Sequence, residues 1–187
     1  MPTEKEKMLS GETYIPWDEE LTADRDRAEV LQNELNEAKT REAQKKAAQR
    51  LFGHFGKNSH LRPNFRCDYG YNIFIGDDVD INYDCTFLDV GKVTIGDRTL
   101  FGPGVHIYSV NHPLDPEERR KAPVEYGKNV SIGHDVWIGG RVTICPGVSI
   151  GNGVTVGAGS LVTKDVPDNV LVVGSPAKIV KSFNKKE

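Results

Sequence analysis

His112 is the side chain in this sequence best placed to do chemistry. It lies in the run Tyr108-Ser109-Val110-Asn111-His112-Pro113, at the start of a polar stretch that continues to Asn129. An imidazole with an ordinary pKa near 6.5 takes up a proton at neutral pH, as a general base must when a hydroxyl attacks a carbonyl. The proline that follows confines His112 to extended backbone geometry. The plain alternative is a loop histidine that caps a turn. His54, His60, His106 and His134 lack this placement, and His134, next to a turn glycine, reads as an exposed corner. Cys67, Cys85 and Cys145 have neither metal-ligand spacing nor a base at a recognisable interval, so structural roles are expected for them.

What must position His112 is a repeat. Ile132, Ile138, Ile144, Ile150, Val156 and Val162 fall every sixth residue, and Gly133, Gly139, Gly151 and Gly157 follow four of them. A second apolar row, Val130, Val136, Val142, Val148 and Val154, runs two places earlier. The same step appears at Ile75, Ile81 and Phe87, and again at Ile95, Phe101 and Ile107. One short strand and one tight turn per unit cannot build hairpins. They build a solenoid whose triangular coils of about 18 residues stack at the sheet spacing of about 4.8 Å. The expected fold class is mainly β: a left-handed parallel β-helix, the exception to the right-handed rule for parallel crossovers, with an N-terminal α-helical segment.

Two intervals break the step. Eight residues separate Phe87 from Ile95, and 25 separate Ile107 from Ile132, so about 19 residues leave the coil there. Interruptions of a solenoid become loops on one face, and a loop of this length is functional or disordered. His112 stands at its mouth, which makes it the candidate base.

Residues 1–56 read differently, with Ala28, Leu31 and Leu35, then Ala43, Ala47 and Leu51, at helical spacing. Thr3 with Glu6 forms a capping box, Gly11 stops the first helix, Asp18 caps a second running to about Ala38, and Thr40 caps a third ending at Gly53. The expected organisation is a helical segment over 1–56 and a β-helix over 57–187 with an inserted loop at 108–129. The net charge of -3 argues against whole-molecule attraction to nucleic acid or anionic membrane. No apolar run approaches the roughly 18 residues of a membrane span, and three scattered cysteines suit a reducing compartment, so the cytoplasm is expected. A short open solenoid leaves faces to be covered, which points to an oligomer.

Several stretches together resemble the hexapeptide-repeat sugar O-acetyltransferases of the galactoside, maltose and nodulation type, most closely the maltose enzymes. They are Lys7-Met8-Leu9-Ser10-Gly11-Glu12 with Tyr14, Asn111-His112-Pro113, Trp137-Ile138-Gly139-Gly140, Gly157-Ala158-Gly159-Ser160, Val162-Thr163-Lys164-Asp165 and Gly174-Ser175-Pro176-Ala177. The resemblance implies acetyl-coenzyme A as co-substrate with no metal required, a small sugar as acceptor, and a homotrimer with sites between subunits. It puts the base on His112 and an asparagine that contacts acceptor and base on Asn82. Acceptor-binding positions fall near Asp18, Asp68, Asp89, Leu100 and Glu125. Asp68 replaces a smaller polar residue of the galactoside enzyme, and a Glu125 carboxylate would orient the imidazole and steady its charged form. On the donor side the resemblance implicates Trp137, Gly139 and Gly140 beside the thioester, with a Gly140 N–H for the oxyanion. It also implicates Ala158, Thr163 and Lys164 along the pantetheine, and Lys178 and Lys181 near the nucleotide phosphates. Lysine meets phosphate as a point charge and not as the fork of the arginine found in some relatives.

The implied reaction is direct transfer of acetyl to a sugar hydroxyl without a covalent acyl-enzyme. Two other classes stay open at this point: a zinc hydratase of the γ-carbonic anhydrase kind, needing three converging histidines, and a non-catalytic solenoid used for assembly. The acceptor itself, whether maltose, glucose, a galactoside or an oligosaccharide, is left undecided.

Overall fold

The six-residue step becomes a three-sided, left-handed β-helix in the computed structural model, which describes residues 1–183. One parallel face stacks His54–Phe55, Ile73–Ile75, Val93–Ile95, Val130–Ile132 and Ser149–Ile150. A second stacks His60–Leu61, Asp80–Ile81, Leu100–Phe101, Trp137–Ile138, Thr155–Val156 and Val170–Gly174, and Ala177–Ser182 returns antiparallel against its last strand. The third stacks Arg66–Cys67, Thr86–Leu88, His106–Tyr108, Thr143–Ile144 and Leu161–Val162. Inward residues lie in register from coil to coil, as Ile75, Ile95, Ile132 and Ile150 do. Alternation along each strand sends one side chain into the prism and its neighbours outward, so both apolar rows are buried. Asp78, Asp84 and Asp135 take up left-handed φ values of 57°, 63° and 58°, which short polar side chains tolerate better than others.

The solenoid begins with His54–Phe55, just before the expected boundary at residue 57 and one coil before the clear aliphatic ladder at Ile75. Its first inward row is Phe55, Leu61 and Cys67, in which no isoleucine appears, and Phe52, Phe65, Phe87 and Phe101 fill this end with successive rings 5.1 to 5.6 Å apart. Three helices precede it. Helix α1 spans Glu4–Ser10, with both halves of the Thr3–Glu6 capping box formed and Gly11 at φ 79° ending it. Helix α2 spans Glu19–Glu37 with Asp18 as cap, and α3 spans Arg41–Leu51 with Thr40 as cap.

Ala28, Leu31, Leu35, Ala47, Ala48 and Leu51 of α2 and α3 belong to the same apolar core as the coils, so the helices plug the open end of the prism. That end also leaves strand-edge backbone groups without a coil to pair with. Helix α2 supplies the partners: Gln32 Oε1 accepts the Cys67 N–H at 3.2 Å, while Asn36 accepts the Phe65 N–H and donates to the Phe65 carbonyl, each at 3.0 Å.

The two interruptions end differently. The short one, Asp89–Lys92, turns inward: Asp89 and Val90 are buried, and Ser109 Oγ donates to Leu88 O and Gly91 O at 2.7 and 2.9 Å. The long one leaves the surface as an antiparallel pair, Val110–Asn111 with Tyr126–Gly127, with helix α4 (Pro116–Lys121, capped by Asp115) near its tip. Among the described residues no helix is long and apolar enough to cross a membrane.

Candidate active site

The inserted loop owes its position to its root and to the N-terminal segment. Gly91 and Gly127 let two backbones meet: a Cβ on Gly127 would stand 2.9 Å from the Gly91 nitrogen. On the other side Tyr14 and Glu125 exchange backbone hydrogen bonds of 3.0 and 3.1 Å, and the Tyr14 hydroxyl donates to Glu125 Oε2 at 2.7 Å. Met8, Tyr14, Leu21, Tyr69 and Val90 close a small apolar cluster beneath.

Between loop and helices lies a cleft of about 280 Å³ lined by Pro16, Trp17, Arg25, Asp68, Tyr69, Leu88, Val90, Val110, His112 and Glu125. The His112 imidazole is exposed, with Nε2 3.8 Å from Glu125 Oε1 and Nδ1 3.4 Å from the Val124 carbonyl. A proton on Nδ1, facing that carbonyl, leaves the Nε2 lone pair free to accept another. Arg25 forms the opposite wall: Nη1 donates to the Tyr69 hydroxyl at 2.8 Å, and the guanidinium lies 5.6 and 5.7 Å from the Trp17 and Tyr69 rings. Burial pushes the Asp68 carboxyl up to about 6, and the nearby Glu125 charge adds to this while Arg25 opposes it.

Asp89 does not line the cleft. It is fully buried, with Oδ1 accepting the N–H groups of Asp68 and Tyr69 at 3.0 and 2.9 Å and Oδ2 accepting that of Asn72 at 3.3 Å. Burial pushes its carboxyl up to about 7. Asp18 likewise stands outside the lining, its Oδ1 accepting the Glu20 and Leu21 N–H groups at the start of α2.

Asn82, Leu100 and Trp137 gather elsewhere, in a second depression of about 240 Å³ on the second face, together with Asp80, Phe101 and Gly102. Leu100 and Trp137 are register partners on adjacent strands and stand 50% and 57% exposed, an unusual state for two large apolar side chains side by side. Gly139 and Gly140 turn the corner just beyond Trp137. The Gly139 N–H is used within the ladder, on Val156 O at 2.8 Å, and a Cβ there would come 2.5 Å from the Ala158 nitrogen. Ala158, Thr163 and Lys164 are exposed at turns of the last full coil, and Lys178 and Lys181 are exposed on the returning strand, in register with Val173 and Leu171. One chain therefore brings His112, Asp68 and Glu125 together, and separately Asn82, Leu100 and Trp137.

Trp17, Arg25 and Tyr69 escaped the sequence reading. Arg25 meets Tyr69 across 44 residues of chain, a distance at which no local pattern speaks. The one signal was an aromatic residue directly before the Asp18 cap. Among the described residues no group of three His, Cys, Asp or Glu side chains is gathered as a metal would require. His106 Nδ1 contacts the Tyr108 hydroxyl at 2.8 Å, and His134 pairs with Asp135 at an exposed corner. Burial raises the thiols of Cys67, Cys85 and Cys145, with Cys85 at about 11, so none is a ready thiolate.

Comparison with known proteins agrees with this architecture at both ends. Residues 7–56 match the maltose acetyltransferase hexapeptide capping motif, and residues 129–164 match the bacterial transferase hexapeptide family of six repeats. Nodulation protein L of Rhizobium meliloti is 46% identical over 182 residues, covering 95% of this chain and 97% of its own. The crystal structure of a maltose O-acetyltransferase from Clostridium difficile superposes with a TM-score of 0.96 at 45% identity, covering 98% of this chain and 99% of its own. A hexapeptide-repeat acetyltransferase from Vibrio cholerae, solved in complex with acetyl-coenzyme A, gives 0.92 at 39% identity, covering 98% and 100%. The chain belongs to the hexapeptide-repeat sugar O-acetyltransferase family, in the group that holds the maltose, galactoside and nodulation-type acetyltransferases.

Proposed function

We propose that this protein transfers the acetyl group of acetyl-coenzyme A directly to a hydroxyl of a small sugar, with His112 as general base. The observation that carries the reading is the His112 imidazole on the rim of a cleft whose other groups, Asp68, Arg25, Trp17 and Tyr69, are those that hold sugars: carboxylates for hydroxyls and aromatic rings for the apolar faces. His112 Nε2 takes the hydroxyl proton as the oxygen attacks the thioester carbonyl. Glu125, 3.8 Å away, steadies the imidazolium that results. A Gly140 N–H stabilises the oxyanion; as the C–O bond forms and the C–S bond breaks, the imidazolium returns its proton to the departing thiolate.

The cleft and the Asn82 depression are two halves of this site. We place them against one another in a homotrimer, where the exposed Leu100 and Trp137 of one copy are covered by the loop of the next. Asn82 then contacts the acceptor and the base, Trp137 and Gly139 flank the thioester, and Ala158, Thr163 and Lys164 follow the pantetheine. Lys178 and Lys181 face the phosphates. Asp18 and Asp89 serve the acceptor indirectly, through the helix start and the turn they hold. The free thiols and the cofactor together suit the cytoplasm.

The test is an acceptor panel of maltose, glucose, galactosides and oligosaccharides, read by thiol release. Acetylation of at least one sugar hydroxyl is expected; thiol release with none of them, alongside acetyl transfer to an amine, would contradict the reading.

A further inference from the structure

Two groups make Glu125 the junction of the loop. One carboxylate oxygen, Oε1, lies 3.8 Å from His112 Nε2, and the other, Oε2, accepts the Tyr14 hydroxyl at 2.7 Å. Tyr14 is 1% exposed and packs among Met8, Leu21, Tyr69 and Val90. Its backbone N–H and C=O pair with the C=O and N–H of the same glutamate. Three hydrogen bonds thus tie one buried residue of the N-terminal segment to one residue of the inserted loop, 111 positions on.

The arrangement has a consequence for the imidazole. A carboxylate facing Asp68 across the cleft is repelled by it, and the two oxygens of a glutamate are equivalent until something distinguishes them. The Tyr14 hydroxyl distinguishes them, holding Oε2 back toward the segment and leaving Oε1 for His112. Without that donor the half-buried Glu125 carboxylate would be free to rotate away, which removes its negative charge from beside Nε2.

We infer that Tyr14 is a positioning residue for the His112 base, acting through Glu125. The inference rests on the reading of His112 given above, and it assigns the N-terminal segment a part in turnover beyond plugging the prism and walling the cleft.

The experiment is a double-mutant cycle on the full-length protein with Tyr14→Phe, Glu125→Gln and the pair, using acetyl-coenzyme A and an acceptor that the wild type turns over. Tyr14→Phe is expected to lower kcat roughly ten- to a hundredfold, the range for losing a partner that orients a functional group, with the KM for acetyl-coenzyme A within about twofold of wild type. The double variant should be no slower than Glu125→Gln alone, because the inferred path from the hydroxyl to His112 runs through that carboxylate. Unchanged kcat in Tyr14→Phe, or losses that multiply in the pair, would overturn the inference. Should Tyr14→Phe not fold, Glu125→Gln decides by itself, since full turnover there leaves Tyr14 nothing to act through. His112→Ala separates this outcome from failure of the parent reading: normal turnover in His112→Ala removes the base, whereas loss there with normal Tyr14→Phe removes only the relay.

Discussion

Asp89 holds Asp68 without entering the cleft: its buried Oδ1 accepts the Asp68 backbone N–H at 3.0 Å and fixes the turn from which Asp68 lines the cleft. The carboxyl that contacts solvent and the one that aims it are therefore different residues, and they make different predictions.

For Asp89 the prediction concerns stability. Its carboxyl is pushed up to about 7 in the folded chain, against about 4 for a free carboxylate. A carboxyl that binds its proton more tightly when folded contributes stability that is complete below pH 4 and is lost as the pH rises through about 7. Urea unfolding of wild type and Asp89→Asn at pH 5 and pH 8 isolates this. The advantage of wild type should be larger at pH 5 by on the order of 2–3 kcal/mol, and an equal advantage at both pH values would contradict it.

For Asp68 the prediction concerns binding. As pH falls through about 6 its carboxyl takes up a proton and loses part of its capacity to accept from hydroxyls. The acceptor KM should rise over that interval, while Asp68→Asn should show a raised KM, roughly tenfold, that no longer varies with pH there. Initial rates at varied acceptor concentration from pH 5 to 8 read both effects, and the KM for acetyl-coenzyme A should not follow them.

The plug at the open end makes a third. Asn36→Leu leaves the buried Phe65 N–H and C=O without partners and should cost about 2–4 kcal/mol of folding stability. Turnover at 25 °C should be unchanged, because Asn36 lines neither the His112 cleft nor the Asn82 depression. Thermal unfolding and kinetics on one preparation check both parts.

These contrasts follow how far each feature could be seen in the chain. Thr3, Gly11, Asp18 and Thr40 were legible as helix boundaries because capping is a contact over two or three residues. The inward ladder was plain from Ile75 because Ile, Val or Phe returns at six-residue steps there, whereas Phe55, Leu61 and Cys67 keep the step but share no residue type. Asp89 looked like a ligand because its position matched the family's acceptor contacts. Only the fold shows that the corner turns inward and that backbone amides consume both oxygens. Trp17, Arg25 and Tyr69 meet through tertiary packing, and nothing local announced them.

The proposal of direct transfer is open to a simple check. Enzyme incubated with radiolabelled acetyl-coenzyme A and no acceptor, then denatured and desalted, should carry no label, and Cys145→Ser should turn over at the wild-type rate. Retained label would redirect attention to the half-buried Cys145.

Whether His112 of one copy works on an acceptor held beside Asn82 of the next, as proposed, is decided by subunit complementation. His112→Ala and Asn82→Ala should each be nearly inactive alone. Unfolded together, mixed in equal amounts and refolded, they should recover roughly a quarter of wild-type turnover, since one interface in four pairs an intact His112 with an intact Asn82. Mixed trimers, separated by an affinity tag on one variant, that stay as inactive as their parents would contradict the account.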